Sequence, residues 1–215
     1  MSDRVSLKEA ERKAFTSAFS DGLLDIFIGC FMLQFVIVLY LSSSLGDFWS
    51  SAAFLPLWAI TYLVLWLLRK YVVRPRIGEV KFGAARVARL KKFNLIMLVT
   101  LTVALLIGML SAVEFERVPG WVHSARFGLI FLIGFSLAGY FLHMNRLYVY
   151  GIVTALALPV GEWLYATWGA PHHGIPITFG TIGGLIILIG VTFFLRLLLR
   201  YPQPPELSTF EEPQR

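Results

Sequence analysis

Residues 125–168 read ARFGLIFLIGFSLAGYFLHMNRLYVYGIVTALALPVGEWLYATW. A hydrocarbon layer about 30 Å thick is crossed by about 20 helical residues. This stretch is therefore two crossings, Ala125–Met144 and Tyr148–Trp168, joined by Asn145, Arg146 and Leu147. Backbone polar groups in lipid must be satisfied within the segment, and the ten-residue alternation of a barrel strand is absent here, so both crossings are helices. Working outward, the same criterion finds Leu23–Leu41, Ala52–Leu68, Phe93–Val113 and Thr178–Leu199. The expected fold is all-α: an integral membrane bundle of six transmembrane helices.

Composition agrees. Of the 215 residues, 57% are hydrophobic and only 15% charged, with a mean hydropathy of +0.72. Soluble domains carry roughly 25% charged residues. Disordered chains lack the aromatics that make up 15% of this one. A single Cys, Cys30, excludes an internal disulfide framework.

Charge sets the expected orientation. Seventeen of the 19 Lys and Arg fall in the N-terminal arm, the loop 69–92, the turn at Arg146 and the C-terminal end. Only Arg117 and Arg126 fall on the other side. The positive-inside rule puts both termini in the cytoplasm, in a multi-pass protein of the cell membrane. The first apolar run is too long for a signal-peptide core and no small-residue cleavage site follows it.

Three segments lie outside the spans. In residues 1–20, Ser6 and Glu9 form a capping box, and Leu7, Ala10, Ala14, Phe15, Ala18 and Phe19 recur at helical spacing. This predicts an amphipathic helix lying on the membrane surface ahead of a transmembrane domain at 21–200. The cytoplasmic loop 69–92 carries nine basic residues and one acid. Arg74, Arg76, Lys81, Arg86, Arg89, Lys91 and Lys92 are its expected contacts with anionic lipid headgroups or a partner protein. Residues 201–215, with four Pro, read as a short disordered tail. Nothing resembles a nucleic-acid recognition module.

The segment Arg74-Pro75-Arg76-Ile77-Gly78-Glu79-Val80-Lys81-Phe82, together with Leu199-Arg200-Tyr201-Pro202, resembles a small prokaryotic family of uncharacterised membrane proteins. The resemblance covers under a tenth of the chain. It implies a prokaryotic source and no activity, ligand or site.

Ionisable groups within a span are costly and mark functional sites by default. Glu162 is the leading candidate. Gly151, Ala155, Leu158 and Glu162 share one helical face, and small residues admit a neighbouring helix. Pro159 and Gly161 could kink the same turn. Ser136, Tyr140 and His143 form a second stripe that could relay a proton or merely join helices. Asp21 reads as a helix cap. Asp25 lies deeper, on a face with Gly22 and Gly29, and would sit near the inner mouth. Gln34 points the opposite way and should bond a neighbouring helix. Gly180/Gly184, Gly134/Ala138 and Ala157/Gly161 are small-residue seams, and the first could join copies in a homo-oligomer.

The expected function is a small transporter or channel-like protein for a proton, cation or small solute, its path formed by Glu162, His143, Tyr140, Ser136 and Asp25. The alternative is a non-catalytic scaffold or accessory subunit binding anionic lipid or a partner through the basic loop. No zinc-protease, serine-hydrolase, phosphate-loop or dinucleotide motif occurs, so an enzyme acting on lipid through Glu162 and the histidines is the weakest reading. No cofactor is expected. His172 and His173 are adjacent but lack further ligands, so no metal site is expected either; a pH-sensitive contact with Glu162 or Glu116 is the alternative for them.

Overall fold

A computed structural model describes residues 21–77, 84–114 and 117–202. The expected surface helix at 1–20, the tail beyond 202 and Lys81 lie outside these residues. Every regular element among the described residues is helical, and six helices are long and apolar enough to cross a membrane. They are α1 (Leu23–Gly46), α2 (Phe48–Arg76), α3 (Ala84–Val113), α4 (Gly120–Leu142), α5 (Asn145–Trp168) and α6 (Ile175–Arg200).

The expected loop between the first two spans shrinks to one residue. Gly46 has φ 77° and ψ 165°, a conformation only glycine adopts readily, and α1 and α2 fold back on each other there. Helix reaches this far because Ser42, Ser43 and Ser44 bond their hydroxyls to the carbonyls of Leu39, Tyr40 and Leu41 at 2.8, 2.8 and 3.1 Å. Their polar groups are satisfied on the helix itself. Gln34 bonds Thr61 of α2 at 3.0 Å, as its position on α1 predicts.

Four helices make the centre, as two antiparallel pairs. In α1/α6, Gly22 meets Gly190 and Gly29 meets Gly183; a Cβ on Gly29 would stand 2.6 Å from the Gly183 carbonyl oxygen. In α4/α5, Gly128 lies against the Ala155 carbonyl, Gly151 against Phe135 and Gly139 against the Tyr148 ring. Backbones this close need small residues at the seam. The α6 seam therefore uses Gly183 and Gly190. Gly180 reaches only Val36, at 4.0 Å, and Gly184 and Gly134 have nothing within 4 Å.

The two pairs share two apolar clusters. One joins Ile28, Leu142, Met144, Leu147, Tyr150 and Ile186; the other joins Met32, Ala157 and Phe179. Phe31, Phe35, Phe54, Phe131 and Phe179 interlock edge to face across α1, α2, α4 and α6. Helices α2 and α3 are peripheral. None of the eighteen most apolar residues in either is buried. Helix α5 continues as helix through Pro159 and Gly161. Gly161 seats the Gly174 backbone at the start of α6.

Candidate functional site

The polar groups of the bundle collect at two ends. At the end where α1 begins and α6 finishes, Asp25 projects from the first turn of α1 with no solvent exposure. Its Oδ1 accepts the Tyr150 hydroxyl at 3.0 Å and faces Arg146 Nε, also at 3.0 Å. Its Oδ2 has no hydrogen-bond partner among the described residues. Arg146 and Tyr150 stand four residues apart on α5, on one face. The Arg146 guanidinium lies 4.9 Å above the Phe193 ring of α6. One buried carboxylate is thus bound to α5 while its helix backbone is locked to α6.

Asp21 extends the cluster. Its Oδ1 accepts the Leu23 N–H at 3.1 Å, the expected cap, and its Oδ2 lies 3.5 Å from Arg69 Nη2. Arg69 opens a π-helical turn, Arg69–Val73, near the end of α2; such turns re-aim side chains and gather at functional sites. Burial pushes the Asp21 carboxyl above its ordinary value, and the Arg69 guanidinium only partly offsets this. The folded state therefore keeps the Asp21 proton to higher pH than the unfolded chain does. Its contribution to stability is full below the ordinary carboxylate value and is lost as pH rises through the raised native value. Asp21→Asn keeps an oxygen for the Leu23 N–H and removes the charge. The variant should unfold at a higher temperature than the parent near neutral pH, with the gap closing in acid. Thermal unfolding in detergent from pH 8 down to pH 4 checks this.

One turn further into the bundle along the same face of α5 lies Thr154, fully buried, with no partner for its hydroxyl among the described residues. Other threonines of the spans, such as Thr61, Thr100 and Thr192, bond a carbonyl four residues back. Arg146, Tyr150 and Thr154 make a polar stripe that points from the basic end toward the middle of the bundle.

The opposite end holds Glu162. Its side chain is 19% exposed, and its Oε2 lies 2.9 Å from His173 Nδ1. The carboxylate also fills the space beside Gly120, the first residue of α4, where a helix N-terminus favours negative charge. The shared face of Gly151, Ala155 and Glu162 does meet α4. His172 and His173 both have left-handed backbones, φ 49° and 52°, and the His173 ring centroid lies 4.4 Å from that of Tyr165. Arg126 and Glu114 pair nearby at 2.9 Å. Among the described residues no three His, Cys, Asp or Glu approach closely enough to hold a metal.

The structure does not bring the expected path residues together. Glu162 and Asp25 belong to opposite ends. On α4, Ser136 is half-buried, Tyr140 is 60% exposed on the outside of the bundle, and His143 ends the helix with φ 56°. In the loop region, Arg74, Lys91 and Lys92 are exposed and Arg76 is partly buried. Arg86 and Arg89 belong to the helical backbone of α3, and their side chains lie outside what is described. Sequence reasoning counted Arg146 only as a charge in a turn. The turn is in fact His143–Met144, and Arg146 falls inside α5. The available signal was the spacing of Arg146, Tyr150 and Thr154.

No family model, curated protein or solved structure matches the chain.

Proposed function

We propose that this protein is a small membrane transporter moving a proton or small cation, with Asp25 as the ion-binding carboxylate and Arg146 and Tyr150 as its counter-groups. The observation that carries this reading is the fully buried Asp25 side chain with one oxygen shared by Arg146 and Tyr150 and the other unpartnered among the described residues. An unpaired carboxylate oxygen in a low-dielectric interior draws a proton or a cation. Protonation would cancel the charge that holds Arg146. The bond between the α1/α6 pair and the α4/α5 pair would then loosen at the cytoplasmic end, while Glu162 and His173 join α5 to the loop before α6 at the outer end. Two packed units moving against each other around a central site is a known way to alternate access. Thr154 would be the next polar group on the inward route.

The test is proton flux into sealed vesicles containing a pH-sensitive dye, driven by an imposed gradient. Asp25→Asn should reduce flux to that of protein-free vesicles. Glu162→Gln, at the opposite end of the bundle, should retain flux. Wild-type flux and pH dependence in Asp25→Asn would end the proposal.

A second reading rests on α2 and α3. Their apolar faces are uncovered, and Arg74, Lys91 and Lys92 stand exposed at the basic end, an arrangement that suits an accessory subunit packing a partner's helices in the membrane.

A further inference from the structure

We infer that α6 carries a binding site for one anionic phospholipid of the leaflet at the basic end. A shallow, open depression of about 330 Å³ lies over Leu185, Leu188, Ile189, Thr192, Phe193 and Arg196 of α6. These residues follow the spacing of a single helical face. The distance along the axis from Leu185 to Arg196 is about 16 Å at 1.5 Å per residue, close to half of a hydrocarbon layer about 30 Å thick. The groove is thus one leaflet long, the reach of one acyl chain.

Its chemistry changes along that length in the way a lipid does. Leu185, Leu188 and Ile189 expose 55%, 64% and 41% of their surface toward the bilayer. The Thr192 hydroxyl is already spent on the Leu188 carbonyl at 2.7 Å, so this position is effectively apolar. Phe193 is half-buried and has the Arg146 guanidinium 4.9 Å from its ring centroid. At the basic end stands Arg196, exposed, with Arg200 one turn beyond it. Neither forms an ion pair among the described residues. A guanidinium at headgroup depth offers paired N–H donors to a phosphate. A second copy of the chain does not fit this face: α6 contains no Asp or Glu, so symmetric packing would set Arg196 and Arg200 against like charges. The site meets the Asp25 cluster only through Phe193, on whose ring Arg146 lies, and the positions varied below, Leu188 and Arg196, do not contact that carboxylate.

The test uses the full chain, purified in detergent and exposed to phosphatidylglycerol or phosphatidylcholine, with retained lipid counted by native mass spectrometry. Wild type should retain one phosphatidylglycerol in preference to phosphatidylcholine. Arg196→Gln should weaken that retention about fivefold, the loss expected for one near-surface charge. Leu188→Trp, which fills the groove on an exposed face, should remove it with the charge intact. Lys91→Gln, on α3, should leave it unchanged. Equal retention of the two lipids by wild type overturns the inference. So does full phosphatidylglycerol retention in both α6 variants, or a dimer that Leu188→Trp disrupts.

Discussion

Asp25→Asn alone should destabilise the bundle by about 3–5 kcal/mol, the cost of leaving a buried ion-pair partner uncompensated. The charge left behind is Arg146, whose side chain is only 21% exposed and stacks on the Phe193 ring. Arg146→Gln should cost a similar amount for the mirror reason, because Asp25 has no solvent to turn to. The double variant Asp25→Asn, Arg146→Gln removes both charges and keeps polar groups able to bond each other and Tyr150. It should recover most of the loss, since a buried pair as a whole contributes little once its desolvation is counted. Unfolding in detergent by heat or by denaturant measures the cycle. If the two losses simply add, the residues are not coupled and the contact has no energetic meaning.

This cycle also separates stability from transport. The double variant should be folded and inactive, because the protonatable carboxylate is gone while the bundle is intact. A folded double variant with wild-type proton flux would leave the ion pair as a structural joint only. Tyr150 lies between these outcomes: its hydroxyl bonds a charged group across 125 residues of chain, and a bond of that kind is worth about 1.5–3 kcal/mol.

The six helices were legible in the sequence because hydropathy over 20 residues is a local property that tertiary packing does not alter. The face shared by Gly151, Ala155 and Glu162 was legible for the same reason, since helical spacing is fixed by backbone geometry. The first turn was misplaced because serines look like loop residues until their hydroxyls return to the helix. The site was harder to see. Glu162 drew attention by its depth in a span, yet it lies beside His173 and Gly120 at the end of the bundle away from Asp25. Arg146 was taken as an orientation signal because charge counting treats every arginine near a turn as facing water. Its pairing depends on which helix stands opposite, and that register between distant segments is written in the glycines of α1, α4, α5 and α6 rather than in Arg146 itself.

Those glycines give the second large effect. Gly29→Leu should destabilise by about 3 kcal/mol or more, the upper part of the range for overpacking. The first added atom would stand 2.6 Å from the Gly183 carbonyl oxygen and 2.5 Å from the Ile187 side chain. Carbonyl oxygen on a helix cannot rotate away, so α1 and α6 must separate. Gly183→Leu should do the same from the other side, meeting Gly29 O and Met32 Cβ at 3.0 Å. Gly184→Ala is the contrast. It changes the very next residue and meets nothing within 4 Å, so it should be neutral or slightly stabilising through helix propensity. Thermal unfolding of the three variants distinguishes a specific seam from a general sensitivity to glycine loss. The seam also fixes where Asp25 stands, because Gly22 and Gly29 bracket it on α1 and both are held by α6. A helix moved outward by the width of a side chain carries Asp25 out of reach of Arg146 and Tyr150. Gly29→Leu should therefore lose proton flux together with stability, whereas Gly184→Ala should keep both.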